Sequence, residues 1–201
     1  MKKQSGLVSD STNPQDQLKY KIAISGAAET GHCAPDALEK TEKLGAILAQ
    51  NNIITVTGAT IGAPYWAAKG AKMAGGIVIG FSPAASKLAH VKSYHLPVDY
   101  HDIIVYTGFE YSGRNLILVR SCDAMITVCG RMGTLNEFTI AFEDQKPIGV
   151  LTGTGGTADM LEEILDRAHR GHGKVVFDSD PQALVEKLIE VIKQDEKEIA
   201  S

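Results

Sequence analysis

The chain is short of the residues that would commit it to a metal, a membrane or a nucleic acid. Its 201 residues include three cysteines, Cys33, Cys122 and Cys129, an odd number without metal-ligand spacing. Neither a CxxC nor an HxxxH pair occurs, and the six histidines are scattered. No metal and no cofactor is expected, and reduced thiols in a cytoplasmic protein are the simplest account of the cysteines. No apolar stretch approaches the ~20 residues of a membrane span. The opening MKKQSGLVSDSTNPQDQLK has basic residues but no apolar core behind them, so it does not read as a secretory signal. Lys and Arg form no long run and the formal net charge is −4, which argues against nucleic acid as a partner.

What is present reads as an ordinary globular protein. The hydrophobic fraction is 44% and the charged fraction 22%, enough apolar material for a full core. Residues 1–18 are dominated by Ser, Asn, Gln, Asp and Pro and read as a flexible tail. Residues 19–195 read as a single nucleotide-binding α/β domain, and 196–201 as a charged, frayed end.

Short β-prone apolar runs alternate with amphipathic stretches, which predicts an α/β fold. The expected class is Rossmann-like and doubly wound, a mainly parallel sheet with helices on both faces. Strands are expected at 20–25, 53–57, 77–81, 103–107, 124–128, 148–151 and 175–177. Helices are expected at 35–50, 63–73, 111–121, from the Gly130 turn to about 144, at 158–170, and from 181 to about 194. The Ala-rich helix 63–73 is suited to close packing on the sheet. Asp180-Pro181 supplies an N-cap and a first-turn proline for the last helix. Residues 82–101 read as a long connection.

Ligands of open α/β sheets bind where strand order reverses, outside the carboxyl ends of the strands. Four small-residue loops fall at such ends: Ser25-Gly26-Ala27-Ala28, Thr57 to Gly62, Gly130 to Thr134, and Thr152 to Thr157. Together they predict a nucleotide-sized cleft. The Thr57 loop holds Gly58 and Gly62 but lacks the full GxGxxG pattern, and no acid closes the next strand, so a dinucleotide site is not indicated. The turn Gly130-Arg131-Met132-Gly133-Thr134 is the stronger signal. It joins a strand to a helix N-terminus, where unpaired N–H groups and the helix dipole favour an anion. Arg131 adds a charge that could clamp phosphate. Glu137, a turn or so into that helix, is placed for a ribose hydroxyl or a water. Arg114, early in the preceding helix, is placed to face an anion or a carboxylate. Tyr65 and Trp66 either line the cleft or pack. Cys122 and Cys129 read as core residues flanking a buried strand.

Arg114, Gly130, Gly133, Thr134 and Glu137 together resemble the "lonely guy" (LOG) family, long mislabelled as lysine decarboxylases. Its signature Pro-Gly-Gly-x-Gly-Thr-x-x-Glu is matched by Cys129-Gly130-Arg131-Met132-Gly133-Thr134-Leu135-Asn136-Glu137, and the Arg114-to-Glu137 separation looks the same. The similarity covers roughly residues 21–170. The stretch RNLILVRSCDAMITV looks closer to a poorly characterised branch of the superfamily, beside the DprA fold and a molybdenum-cofactor carrier.

The resemblance implies a homodimer that binds nucleoside 5′-monophosphates and hydrolyses the N-glycosidic bond, releasing base and ribose 5-phosphate. Arg114 and Glu137 would be the catalytic pair. Ser25, Gly26, Gly58, Gly62, Gly130, Arg131, Met132, Gly133 and Thr134 would hold the nucleotide and its phosphate. The alternative is a carrier of a nucleotide or a pterin-type molybdenum cofactor without turnover. Three departures stand against the family pattern. Arg131 replaces the second signature glycine, which costs energy if that position needs φ > 0. Ala59 and Tyr65 alter the earlier glycine loop and are expected to reshape the pocket.

Overall fold

Why the seven apolar runs become one sheet is clearest at its centre. The computed structural model describes residues 19–200, so the N-terminal tail and Ser201 lie outside the described residues. The strands are β1 (Lys21–Gly26), β2 (Ile54–Thr57), β3 (Val78–Ser82), β4 (Ile103–Tyr106), β5 (Ala124–Val128), β6 (Ile148–Leu151) and β7 (Val175–Asp178). All pair in parallel, in the order β4-β3-β2-β1-β5-β6-β7. A parallel strand covered on both faces needs a continuous apolar run rather than an alternating one. Ala124 to Val128 is such a run, and every residue of it is buried. The fold is the Rossmann-like α/β sheet expected from the alternation.

Seven α-helices among the described residues complete it: α1 (Ala37–Gln50), α2 (Ala63–Met73), α3 (Lys87–Lys92), α4 (Glu110–Arg120), α5 (Met132–Glu143), α6 (Leu161–Arg167) and α7 (Pro181–Ala200). β1 shows how one strand serves two cores. Ile22 and Ile24 join the apolar layer of Leu44 and Leu48 from α1 with Leu184 and Leu188 from α7. Ala23 faces the other layer, built from Leu118 of α4, Phe138 of α5 and Leu161 of α6. Each such fully buried Leu, Ile or Phe contributes roughly 1.5–3 kcal/mol. The small residues of α2 serve α1 as well as the sheet: a Cβ on Gly70 would stand 1.8 Å from the Glu42 carbonyl oxygen of α1.

Several boundaries differ from expectation for local reasons. The 82–101 connection contains α3, a six-residue helix started by Ser86, whose hydroxyl accepts from the Ala89 N–H at 3.2 Å. It is too short to show periodicity. The helix expected at 158–170 is a 3-10 turn (Gly156–Met160) followed by the shorter α6. The Asp159 carboxylate draws the preceding loop round by accepting from the N–H groups of Gly153 and Gly155. Asp180 caps α7 as expected, accepting from Gln182 and Ala183 N–H groups, but the helix runs on to Ala200 instead of stopping near Gln194. No described helix is long and apolar enough to cross a membrane.

The cysteines require a correction. Cys33 and Cys129 are joined in a disulfide with Cα atoms 5.6 Å apart. Their separation of 96 residues hid the pairing from any reading by spacing. Parallel β1 and β5 are neighbours, so the loop after β1 meets the end of β5. Cys122 remains a free, buried thiol, and burial pushes its pKa up to about 12.

Candidate functional site

Strand order reverses between β1 and β5. From there the chain proceeds outward through β2, β3 and β4 on one side and through β6 and β7 on the other. The two strands end level, with Ser25 beside Thr127 and Gly26 beside Val128. Loops diverging from these ends leave a crevice of about 380 Å³. Its walls include Ser25, Gly26, Ala27, Ala28 and Glu29 after β1, Gly58 and Thr60 after β2, Tyr111, Arg114 and Asn115 on α4, and Arg131 to Thr134 and Glu137 on α5.

One end of the crevice is a helix N-terminus. The first helical bond of α5 runs from the Leu135 N–H to the Arg131 carbonyl at 3.0 Å. Helix geometry therefore leaves the N–H groups of Met132, Gly133 and Thr134 outside the helical ladder, and no side chain caps them. All three residues face the crevice, and the helix dipole adds partial positive charge there. The anticipated strain at Arg131 is absent, because its φ of −133° and ψ of −158° are extended. The left-handed residues are the two before it, Cys129 (φ 51°) and Gly130 (φ 106°). A proline at Cys129, as in the LOG signature, could not adopt that φ. The turn here thus follows its own path.

Arg131 points across the mouth of the crevice and pairs with Glu29. Both side chains are more than half exposed. An incoming anion therefore competes with Glu29 for that guanidinium.

Glu137 sits deeper and is 7% exposed. Ser25 Oγ donates to its Oε2. The Asn115 amide, turned so that its nitrogen faces α5, donates to Glu137 Oε1 and to the Tyr111 carbonyl, each at 2.9 Å. Burial raises the Glu137 pKa above the usual carboxylate range, against the opposing pull of Arg114 and the Ser25 hydrogen bond. Arg114 is 5% exposed, and burial lowers its pKa, partly offset by the charge of Glu137. Its Nη1 donates to the Phe81 carbonyl at 3.3 Å, and its guanidinium lies 6.0 Å from the Tyr111 ring centre. Arg114 and Glu137 thus share the crevice and each other's field without an ion pair within 4.0 Å. The two residues that hold Glu137 in place are neutral.

The remaining expected residues divide into lining and support. Gly58 lines the crevice, and a Cβ there would stand 1.8 Å from Arg114 Nη1, so a larger residue would push that guanidinium aside. Gly62 does not line it. It begins α2 with φ 74°, and a Cβ would meet the Ala27 and Ala28 carbonyl oxygens at 2.3 Å. Gly130 is also behind the wall, its carbonyl accepting from the Thr157 N–H and from His32 Nε2, each at 3.1 Å. The Thr152–Thr157 loop supports rather than lines: Thr154 Oγ1 accepts from the Cys129 N–H at 2.8 Å and donates to the Leu151 carbonyl at 2.6 Å. Tyr65 packs edge-on against Tyr100, and Lys69 lies over the Trp66 ring, so neither aromatic reaches the crevice. The sequence reading missed Asn115, Tyr111 and Glu29. The i, i+4 spacing of Tyr111 and Asn115, with Asn115 next to Arg114, was the available signal for the first two.

A parallel doubly wound sheet with an uncapped helix N-terminus at its switch point defines a Rossmann-like α/β protein. The chain belongs to the SLOG cluster4 family, whose model matches residues 19–185. Among solved structures it is similar to the molybdenum cofactor binding protein of Rippkaea orientalis, with 31% identity over 89% of this chain and 98% of that one, at a TM-score of 0.71. It is also similar to the molybdenum cofactor carrier protein of Chlamydomonas reinhardtii, with 27% identity, 88% and 99% coverage and a TM-score of 0.70. The DNA processing protein A of Helicobacter pylori shares the fold at 20% identity, with 85% and 80% coverage and a TM-score of 0.61.

Proposed function

We propose that the crevice binds a phosphorylated, nucleotide-like small molecule, and that its occupant is a phosphorylated pterin of the molybdenum-cofactor type, held without turnover. The observation that carries this reading is the uncapped N-terminus of α5 opening onto the switch point. Its N–H groups would take the phosphate, with Arg131 released from Glu29 to join them. The flat heterocycle would lie toward Tyr111 and Asn115. Likeness to two proteins named for binding and carrying this cofactor supports the pterin over other phosphorylated ligands. On the LOG resemblance, the working form would be a homodimer, to be checked by light scattering.

Glu137 favours a second reading, hydrolysis of a nucleoside 5′-monophosphate. A carboxyl in a ligand crevice, with its pKa raised by burial, suits general acid–base work. Cleavage would pass through an oxocarbenium-like ribose, with the phosphate anchored at α5 and Glu137 orienting and deprotonating the water. Arg114 would stabilise charge near the sugar rather than hold Glu137.

One experiment separates the two. Purified protein is offered a panel of nucleoside 5′-monophosphates and a phosphorylated pterin. Binding is read by thermal shift, and products by chromatography, with Glu137→Ala in parallel. Binding of the pterin, recovered intact, supports the carrier. Release of base and ribose 5-phosphate by the wild type alone establishes the hydrolase. Absence of any binding rejects both.

A further inference from the structure

Behind the anion-binding turn, three soft donors converge. His32, Cys33 and Cys129 place their ligand atoms within 4.8 Å of one another, the single such His/Cys/Asp/Glu group found among the described residues. His32 Nε2 lies 3.6 Å from Cys129 Sγ. His32 is exposed, Cys33 half-buried and Cys129 buried, so the cluster opens toward solvent from a rigid base. That base is anchored on two sides. The Cys129 N–H donates to Thr154, and the Ala34 N–H, next to Cys33, donates to the Thr154 carbonyl at 2.9 Å.

We propose that this cluster, once its disulfide is reduced, is a binding site for a thiophilic divalent cation such as Zn²⁺. Two thiolates and one imidazole are a recognised zinc donor set that leaves a fourth position open. Tetrahedral zinc with Zn–S bonds of about 2.3 Å holds two sulfurs roughly 3.8 Å apart. Rotation of the two side chains on their present backbones opens the sulfurs toward that spacing. The His32 ring supplies Nε2 by moving its proton to Nδ1 and giving up its hydrogen bond to the Gly130 carbonyl. The metal-bound and disulfide forms exclude each other, because both use the same sulfur lone pairs and valences. In a reducing compartment a pair of cysteines brought together beside a histidine is more often a metal or redox site than a structural bridge. The inference does not depend on which ligand fills the crevice.

The chemistry balances in two steps. A phosphine takes the disulfide to two thiols, consuming one water and becoming the phosphine oxide. The cation then displaces both thiol protons to solvent.

The test uses the full-length protein, reduced with a phosphine and stripped of metals, then titrated with Co²⁺ as a spectroscopic probe and with Zn²⁺ in competition. The expected result is a thiolate-to-cobalt charge-transfer absorption in the near ultraviolet, saturating at one equivalent per chain and abolished by one equivalent of Zn²⁺. It should be missing from the oxidised protein and lost in Cys33→Ser. Because Cys129 is buried and its serine variant is prone to misfold, His32→Ala at an exposed position is the second variant, and it should weaken binding and shift the visible cobalt bands. A reduced, folded protein without the charge-transfer absorption would overturn the proposal. So would an absorption unchanged in both Cys33→Ser and His32→Ala, since that would place the metal elsewhere.

Discussion

Ser25 Oγ donates a hydrogen bond to Glu137 Oε2, tying the end of β1 to the second turn of α5 inside the crevice. The bond satisfies a carboxyl that has little access to water. Ser25→Ala should therefore lower the unfolding free energy by roughly 1–3 kcal/mol, the usual cost of leaving a buried polar group short of a partner. Urea denaturation checks it. A change inside about ±0.5 kcal/mol, as for an ordinary surface substitution, would mean the bond carries nothing.

Glu137 also makes stability depend on pH. Its folded pKa is raised above the ordinary value of 4.5, so the folded state binds the proton more tightly than the unfolded chain does. This contribution is fully present below the unfolded value and is lost as pH rises through the folded one. Glu137→Gln does not titrate. The wild type should thus lose melting temperature relative to Glu137→Gln as the pH is raised from below 4.5. A difference independent of pH would show that the carboxyl is not shifted.

Arg131 and Glu29 form an exposed pair at the crevice mouth. Such pairs contribute about 0–1 kcal/mol to stability, so Glu29→Gln should fold as well as the wild type. It should nevertheless bind inorganic phosphate more tightly, because the guanidinium no longer has a competing carboxylate. Arg131→Ala should bind it more weakly. Calorimetric titration at low salt is the appropriate measurement, since screening weakens both effects. Equal affinities across the three proteins would remove Arg131 from the site.

Thiol counting tests the disulfide. Two of the three cysteines are joined, and Cys122 is buried with its pKa pushed up to about 12. The native, unreduced protein should react with a thiol reagent very slowly, the denatured protein at one thiol, and the denatured, reduced protein at three. By the chain-entropy argument, closing a loop near 100 residues contributes about 4.7 kcal/mol, so reduction should lower the melting temperature visibly. Three reactive thiols in the denatured, unreduced protein would dissolve the assignment.

Much of the fold could be read from local pattern. Ala124 to Val128 is β-prone and uninterrupted, and its boundaries are those of β5. The observed α2 and β6 likewise coincide with the expected 63–73, closed by Gly75 and Gly76, and 148–151. What escaped depended on contacts between distant segments or on elements too short for a period. α3 spans under two turns, and its one local mark is Ser86. The Cys33–Cys129 bond depends on β1 and β5 being neighbours, which no single segment states. At the crevice, Gly130 to Thr134 announced a helix N-terminus, but the direction of each side chain was not local. Arg131 turned out to face Glu29, and Arg114 the Phe81 carbonyl, while the hydrogen bonds to Glu137 come from Ser25 and Asn115.

The Cys33–Cys129 bond also turns part of the polypeptide into a covalent ring. The ring holds everything from the start of α1 to the end of β5, including β2, β3 and β4. A protease that nicks any loop between residues 34 and 128 would therefore leave two fragments still fastened together, and the cut would show on a gel only after a reductant is added.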